Sequence, residues 1–305
     1  MPRSRIPAVR FRSVLCPVDF SEHSRAALRY AAAVVTRSLG RITVLYVNDP
    51  LLIAAAAAAY SSSRLARTAR AELGRFARTS LRASQAASLR LATAVGKPAI
   101  EIDRIARRGR FDLIVMGTHG ASGASRLFFG STTAGVLARA RVPVLAIPPR
   151  ATGRGARPLA SWPGRLAIAP IDLDRQAAKH VALAGRVARW FGGRLVLVHV
   201  VPRVRAPAWY GGDSVTRQRV HTLRARRELQ ALQSWAGPGV VRACRVVSGH
   251  VADEVAALAA AERAGLIIVG LPRRKGLLAW RPGSTVYHLL CHATMPVLAW
   301  PRHRF

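Results

Sequence analysis

The chain has 305 residues, half of them apolar, with 48 Lys and Arg against 14 Asp and Glu, for a formal net charge of +34. Regular apolar segments rich in β-branched residues exclude a disordered chain, and the length predicts two domains. The longest apolar run, Leu51–Tyr60, falls short of the ~20 residues of a spanning helix, and Arg10, Arg12 and Asp19 interrupt any signal-peptide core, so no membrane association and a cytoplasmic location are expected.

Val14–Val18 reads as a short buried strand. Ser21 caps a helix that runs to about Ser38, with Gly40 as its stop signal. Ile42–Val47 is a second buried strand. The run Ala54–Ala59 with Ser61–Ser63 reads either as a loop or as an extra helix. From Arg64 onward, Arg64, Arg67, Arg75, Arg78 and Arg82 fall on one arc at helical spacing, opposite Leu65, Ala69, Leu73 and Phe76. That pattern predicts an amphipathic helix with a solvated arginine face. Leu89–Val95 is a third strand, and Pro98–Arg107 a helix opened by proline. Leu113–Met116, Ser131–Arg139 and Val142–Ile147 complete a strand, helix, strand sequence.

The same order then recurs. Pro17 and Pro170, Asp19 and Asp172, Gly40 and Gly193, Val47 and Val200, Gly96 and Gly249, Gly117 and Gly270, Gly130 and Gly283, and Pro143 and Pro296 all share one offset, 172 − 19 = 153. A constant offset over whole halves marks a tandem duplication of a domain. Residues 1–149 are expected to form the first copy, 150–163 a linker and 164–305 the second. Val, Ile and Leu strands alternating with helices predict an α/β fold: two copies of a five-stranded parallel open sheet sandwiched by helices. Ligands in such sheets bind beyond the carboxyl ends of the strands where strand order reverses, here between the first and fourth strands.

After the fourth strand the chain reads GTHGASGASRLFFGSTT, residues 117–133. Glycine serves where the backbone needs positive φ or close approach. Gly130 and Ser131 open the next helix, whose free N–H groups and dipole form an anion site, with Ser131, Thr132 and Thr133 adding hydroxyl donors. His119 sits in this loop without a visible carboxylate partner, so it reads as a binding residue rather than a base.

The spacing Gly, two residues, Gly, nine residues, Gly, Ser, met by Gly117, Gly120, Gly130 and Ser131, together with PVDFS at Pro17–Ser21, resembles the universal stress proteins in their tandem UspA-like form, of adenine nucleotide alpha hydrolase-like fold. The resemblance covers nearly the whole chain. It implies an ATP pocket, with Mg2+ or Mn2+ accompanying the triphosphate. Pro17, Val18 and Asp19 would meet adenine and ribose, Val47 the adenine, and Met116 and Gly117 the border of the nucleotide. Gly120, Gly130, Ser131 and Thr132 would hold the phosphates. It also implies that the fifth strands of the two copies pair with each other as a pseudo-dimer, with further homo-oligomers open.

The second copy keeps Asp172, Gly270, Gly283, Ser284 and Thr285, but Arg273 replaces the middle glycine, which points to a degenerate site; the alternative is that the cluster Arg273, Arg274 and Lys275 clamps phosphate as cations. No GxxxxGK[ST] loop or GxSxG elbow is present, and PVDFS differs from the SGGxDS loop of ATP pyrophosphatase-like ligases. A binder that acts in the stress response by occupancy, with at most slow hydrolysis, is therefore the expected function. The alternative is a nucleotide-independent interaction protein that uses its arginine surface on nucleic acid or other polyanions. Against it, arginine is spread along the whole chain and aromatics are few. Cys16, Cys244 and Cys291 are too far apart for a CxxC zinc site, and His288, Cys291 and His292 lack a fourth ligand.

Overall fold

The computed structural model describes residues 9–57, 61–86, 89–119, 130–151, 159–203, 214–271 and 285–301. In the first half the elements are β1 (Ser13–Val18), α1 (Glu22–Ser38), β2 (Arg41–Asn48), α2 (Pro50–Ala57), α3 (Ser62–Ser80), α4 (Ala83–Ala86), β3 (Leu89–Val95), α5 (Pro98–Arg108), β4 (Leu113–Gly117), α6 (Ser131–Arg139) and β5 (Val144–Ile147). In the second half they are β6 (Leu166–Pro170), α7 (Ala177–Trp190), β7 (Arg194–Val201), α8 (Ser214–Leu232), β8 (Val241–Ser248), α9 (Val251–Ala261), β9 (Leu266–Leu271), α10 (Thr285–His292) and β10 (Val297–Pro301). Of the run before the arginine helix, Ala54–Ala57 belong to an extra helix, α2, Ser61 is the N-cap of α3 and Ser62 and Ser63 open it, and 58–60 lie outside the described residues.

All strands join one ten-stranded sheet in the order β3-β2-β1-β4-β5-β10-β9-β6-β7-β8. Pairing is parallel within each half and antiparallel only between β5 and β10. There Leu145 faces Leu298, flanked by Val144 with Ala299 and Ala146 with Val297. Leu145 and Leu298 are 153 positions apart, as are Val144 and Val297, so a pseudo-twofold axis passes through the central leucine pair. The two apolar tails thereby cover each other's open edge.

Strand side chains alternate between two cores, each running across both halves. On one face α1 and α3 pack with α7 and α8, through Leu28, Leu73, Val181 and Leu229. On the other face α5 and α6 pack with α9 and α10, through Ile102, Val136, Val255 and Leu289. Arg64, Arg67, Arg75 and Arg78 are exposed on α3 as predicted, with Leu73 and Phe76 buried beneath them, but α3 ends at Ser80 and leaves the exposed Arg82 beyond it. Cys16 is fully buried, which pushes its thiol far up from its ordinary value and leaves it inert packing.

Where the halves meet, Trp162 packs edge-on against Tyr30 and Phe191 with ring centroids at 4.9 and 5.2 Å, and its indole N–H donates to the Gly265 carbonyl at 2.8 Å. The Tyr30 hydroxyl donates to the Ala151 carbonyl, and Arg37 donates to the Phe191 carbonyl. Gly40 is not itself the left-handed stop of α1. Leu39 adopts that conformation, with φ 51°, and Gly40 is required because a Cβ there would sit 2.5 Å from the Arg12 carbonyl oxygen. That carbonyl accepts from the Arg41 amide at 2.7 Å, which seats β2 beside β1.

Candidate functional site

Strand order reverses between β1 and β4, as the sequence predicts, and both strands end at the same rim. At the end of β1, Pro17 and Val18 are buried and Asp19 is exposed. One Asp19 carboxylate oxygen accepts from the Ser21 amide at 3.1 Å and from the Ser21 hydroxyl at 2.6 Å. The Ser21 oxygen in turn accepts from the Ser24 amide, capping α1. Between them Phe20 is held at φ 64°, a conformation L-residues rarely adopt. Its ring lies 4.6 Å from Tyr46 at the end of β2 and 5.6 Å from Phe76 on α3. Val47 follows Tyr46 on the same rim, half-buried.

Two contacts hold the end of β4 to the start of α6, and two more fix Thr118 itself. The Gly130 amide donates to the Thr118 carbonyl at 2.8 Å, and the Thr133 hydroxyl donates to the Gly117 carbonyl at 2.7 Å. The Thr118 amide donates to Ile147 on β5, and the Thr118 hydroxyl shares a 2.9 Å hydrogen bond with His119 Nδ1. Met116 is buried beneath this junction. Neither Gly117 nor Gly130 needs positive φ, because both are positions of close approach. A Cβ on Gly117 would lie 3.1 Å from the His23 carbonyl oxygen, and one on Gly130 would lie 3.1 Å from the Thr118 carbonyl oxygen.

The start of α6 receives no side-chain cap and has no acidic residue in its first turn, so its leading N–H groups are left to solvent or a ligand. Ser131 is exposed and Thr132 partly so. Thr133 is a correction: it is buried and its hydroxyl proton is taken by Gly117, so it holds the loop instead of adding a free donor. Gly120, the arginine cluster Arg273 to Lys275, Gly283 and Ser284 lie outside the described residues.

His119 is half-buried, with its ring 5.8 Å from that of His23 on α1. Burial first, and the neighbouring His23 second, hold its imidazole below the ordinary value of 6.5. His23, Thr118, Phe20 and Tyr46 were not singled out by sequence reasoning. Only the adjacency of β1, β2 and β4 brings them to one rim, although Thr118 and His119 directly follow the β4 glycine and offered a local signal. Among the described residues no group of three or more His, Cys, Asp or Glu side chains is placed to hold a metal.

A doubly wound sheet whose strand order reverses between β1 and β4, with glycines at the end of β4 and at the uncapped start of α6, defines the α/β class of the protein. The chain belongs to the universal stress protein family, whose sequence profile matches residues 10–148 and 167–301. It is similar to universal stress protein MJ0577 of Methanocaldococcus jannaschii, with 26% identity over 46% of this chain and 96% of that protein. It is also similar to a Thermus aquaticus universal stress protein, with 31% identity over 45% of this chain and 98% of that protein. In structure it matches a universal stress protein of Archaeoglobus fulgidus, with a TM-score of 0.64, 20% identity and coverage of 96% of this chain and 97% of that one. Among the described residues no helix is long and apolar enough to cross a membrane.

Proposed function

We propose that the first half binds ATP with a divalent cation, Mg2+ or Mn2+, and that the protein acts in the stress response through occupancy of that site rather than through rapid turnover. The observation that carries this reading is the uncapped α6 N-terminus locked against the end of β4 by the Gly130 and Thr133 hydrogen bonds. The amides of residues 131–133 and the hydroxyls of Ser131 and Thr132 are preorganised donors for phosphate oxygens. Asp19, Val47 and Met116 border the space where adenine and ribose would lie.

The divalent ion fits as a guest of the triphosphate. Magnesium commonly keeps several waters and takes substrate phosphates as ligands, so the phosphates held at the start of α6 would carry it. The cation would neutralise phosphate charge when bound. The chain's own residues orient the phosphates and offer His119 as a neutral imidazole beside them. Hydrolysis would need a base to orient water, and His119 shares its Nδ1 with Thr118.

Denaturing the purified protein and chromatographing the supernatant tests the reading. Released ATP or ADP, together with heat on titrating Mg-ATP and little phosphate over hours, is the expected result. No carried nucleotide and no heat would overturn it, and rapid phosphate release would replace the binder with an ATPase.

A further inference from the structure

Arginine is spread evenly along the sequence, but the fold does not leave it evenly spread in space. The helices on the α1, α3, α7 and α8 face carry 16 Arg and Lys against three Glu, a net of +13. The helices on the opposite face, α5, α6, α9 and α10, carry four Arg against four Asp and Glu, a net of zero. A uniform coding preference for arginine would load both faces. Instead α9 presents exposed Ala257 and Ala260 and no basic residue at all.

The residual acids sharpen the contrast. On the basic face Glu22, Glu72 and Glu228 each pair with an arginine of their own helix, Arg25, Arg75 and Arg224. On the opposite face Arg104 pairs with Glu101 and Arg107 with Asp103, so its charge is largely balanced within α5. The outer helices α3 and α8 are pseudo-equivalent, each with five arginines, and all ten are exposed. A charge surplus of this size repels itself and is relieved by a polyanion.

From this segregation we infer that the α1, α3, α7 and α8 face binds the phosphate backbone of a single-stranded nucleic acid. Guanidinium forks match phosphate oxygens in pairs, and 45 of the 48 basic residues are arginine. Among the described residues, the exposed positions of α3 are Arg, Ala and Thr, and α8 exposes only Val220 and Leu223 among its large apolar side chains, too few for the broad apolar face that enters a bilayer. Strand order places α3 and α8 about eight strand spacings apart, roughly 38 Å at ~4.8 Å per strand. At about 20° of twist per strand, the basic layer turns well past a right angle over that span. A plane of lipid headgroups or a stiff duplex cannot follow such a surface, whereas a flexible phosphate chain can. Few aromatics lie on it, so recognition is of the backbone rather than of the bases. The inference does not depend on the nucleotide site, which lies at the strand ends.

The test is titration of the full chain with a labelled single-stranded RNA of about 30 nucleotides. Four phosphate contacts predict roughly 50-fold weaker binding when salt rises from about 50 to 200 mM. The pair Arg67→Gln with Arg70→Gln on α3, and the pair Arg219→Gln with Arg226→Gln on α8, should each lower the salt slope by about 1.4. The pair Arg108→Gln with Arg110→Gln, at the end of α5, removes the same charge from the other face and should leave binding unchanged. Inorganic polyphosphate should compete the RNA off, and Thr132→Asp at the nucleotide site should not affect it. Absence of RNA binding at low salt, equal loss in the control pair, failure of polyphosphate to compete, or binding to duplex DNA or anionic vesicles as tight as to RNA would each overturn the inference.

Discussion

The turn that leaves β1 and the turn that leaves β6 occupy matching places in the two halves, yet they are built differently. After β1, Asp19, Ser21 and Ser24 form one hydrogen-bonded unit that caps α1 and fixes an exposed carboxylate at the rim. After β6, the positions of Ser21 and Ser24 hold Asp174 and Ala177. There α7 starts two positions later than α1 would predict, its N-cap Gln176 makes no side-chain cap, and the Gln176 side-chain oxygen is buried without a hydrogen-bond partner among the described residues. Opposite it, His199 stands where the first half has Tyr46, and its Nδ1 donates to the Ile171 carbonyl at 2.8 Å. Among the described residues, the first rim joins its side chains to one another around an exposed carboxylate, whereas at the second His199 is bonded to the backbone at the end of β6. The two halves keep the apolar character of strands and cores while exchanging their residues, as Val14, Leu15 and Cys16 against Ala167, Ile168 and Ala169 show, and the polar groups of the rim differ in kind.

Four experiments break or sharpen this contrast. The largest effect is expected where the halves are not separate at all. Trp162→Ala removes ring packing against both Tyr30 and Phe191 and the hydrogen bond to Gly265, and should cost about 3–5 kcal/mol in denaturant unfolding. Hydrogen exchange should show β1 and β6 weakened together, and loss confined to one half would mean that the shared core does not couple them. Next, Thr132→Asp places a negative charge in the first turn of α6 and should weaken Mg-ATP binding about 30-fold or more by calorimetry. Thr285→Asp, the equivalent change in α10, should leave it unaltered, and equal losses would show two working sites. Gly130→Val is the blunter variant, because its side chain presses on the Thr118 carbonyl and reads on folding as well as on binding.

Ser21→Ala removes a working cap and should cost about 1 kcal/mol in chemical denaturation, whereas Asp174→Ala, which loses the turn bond from the Gln176 amide ahead of α7 and no helix cap, should cost less. The smallest effect concerns pH. The lowered value of His119 means that its folded-state stability is fully present above the ordinary value of 6.5. It is lost as pH falls from there through the lowered value, because the unfolded chain takes up the proton first. His119→Gln should flatten that part of the stability profile, and an unchanged profile would place the titrating group elsewhere.

Much of the architecture was legible because a parallel sheet buried on both faces writes itself as short Val, Ile and Leu runs, and because the 153-residue offset repeats every one of them. The reversal between β1 and β4 and the pairing of the two fifth strands followed from that pattern and from the family resemblance. The rim was less legible. Gly40, Gly117 and Gly130 read as glycines, but only the coordinates distinguish close approach from positive φ, and here all three are close approach. Thr133 looked like one more hydroxyl donor, since nothing in a string of residues says that its partner is Gly117, 16 positions earlier. The segregation of arginine was hidden for the same reason: even spacing along a chain says nothing about faces until the strand order is known.

The leucine pair at the centre of the β5–β10 ladder has a final consequence. Because both fifth strands belong to one polypeptide, dilution cannot part them, and every molecule carries one rim of each half. The exposed sheet margins are then β3 and β8, which carry Arg90, Arg242 and Arg245. Charged side chains on such margins discourage strand-to-strand growth, so any larger assembly would have to be built through the helices.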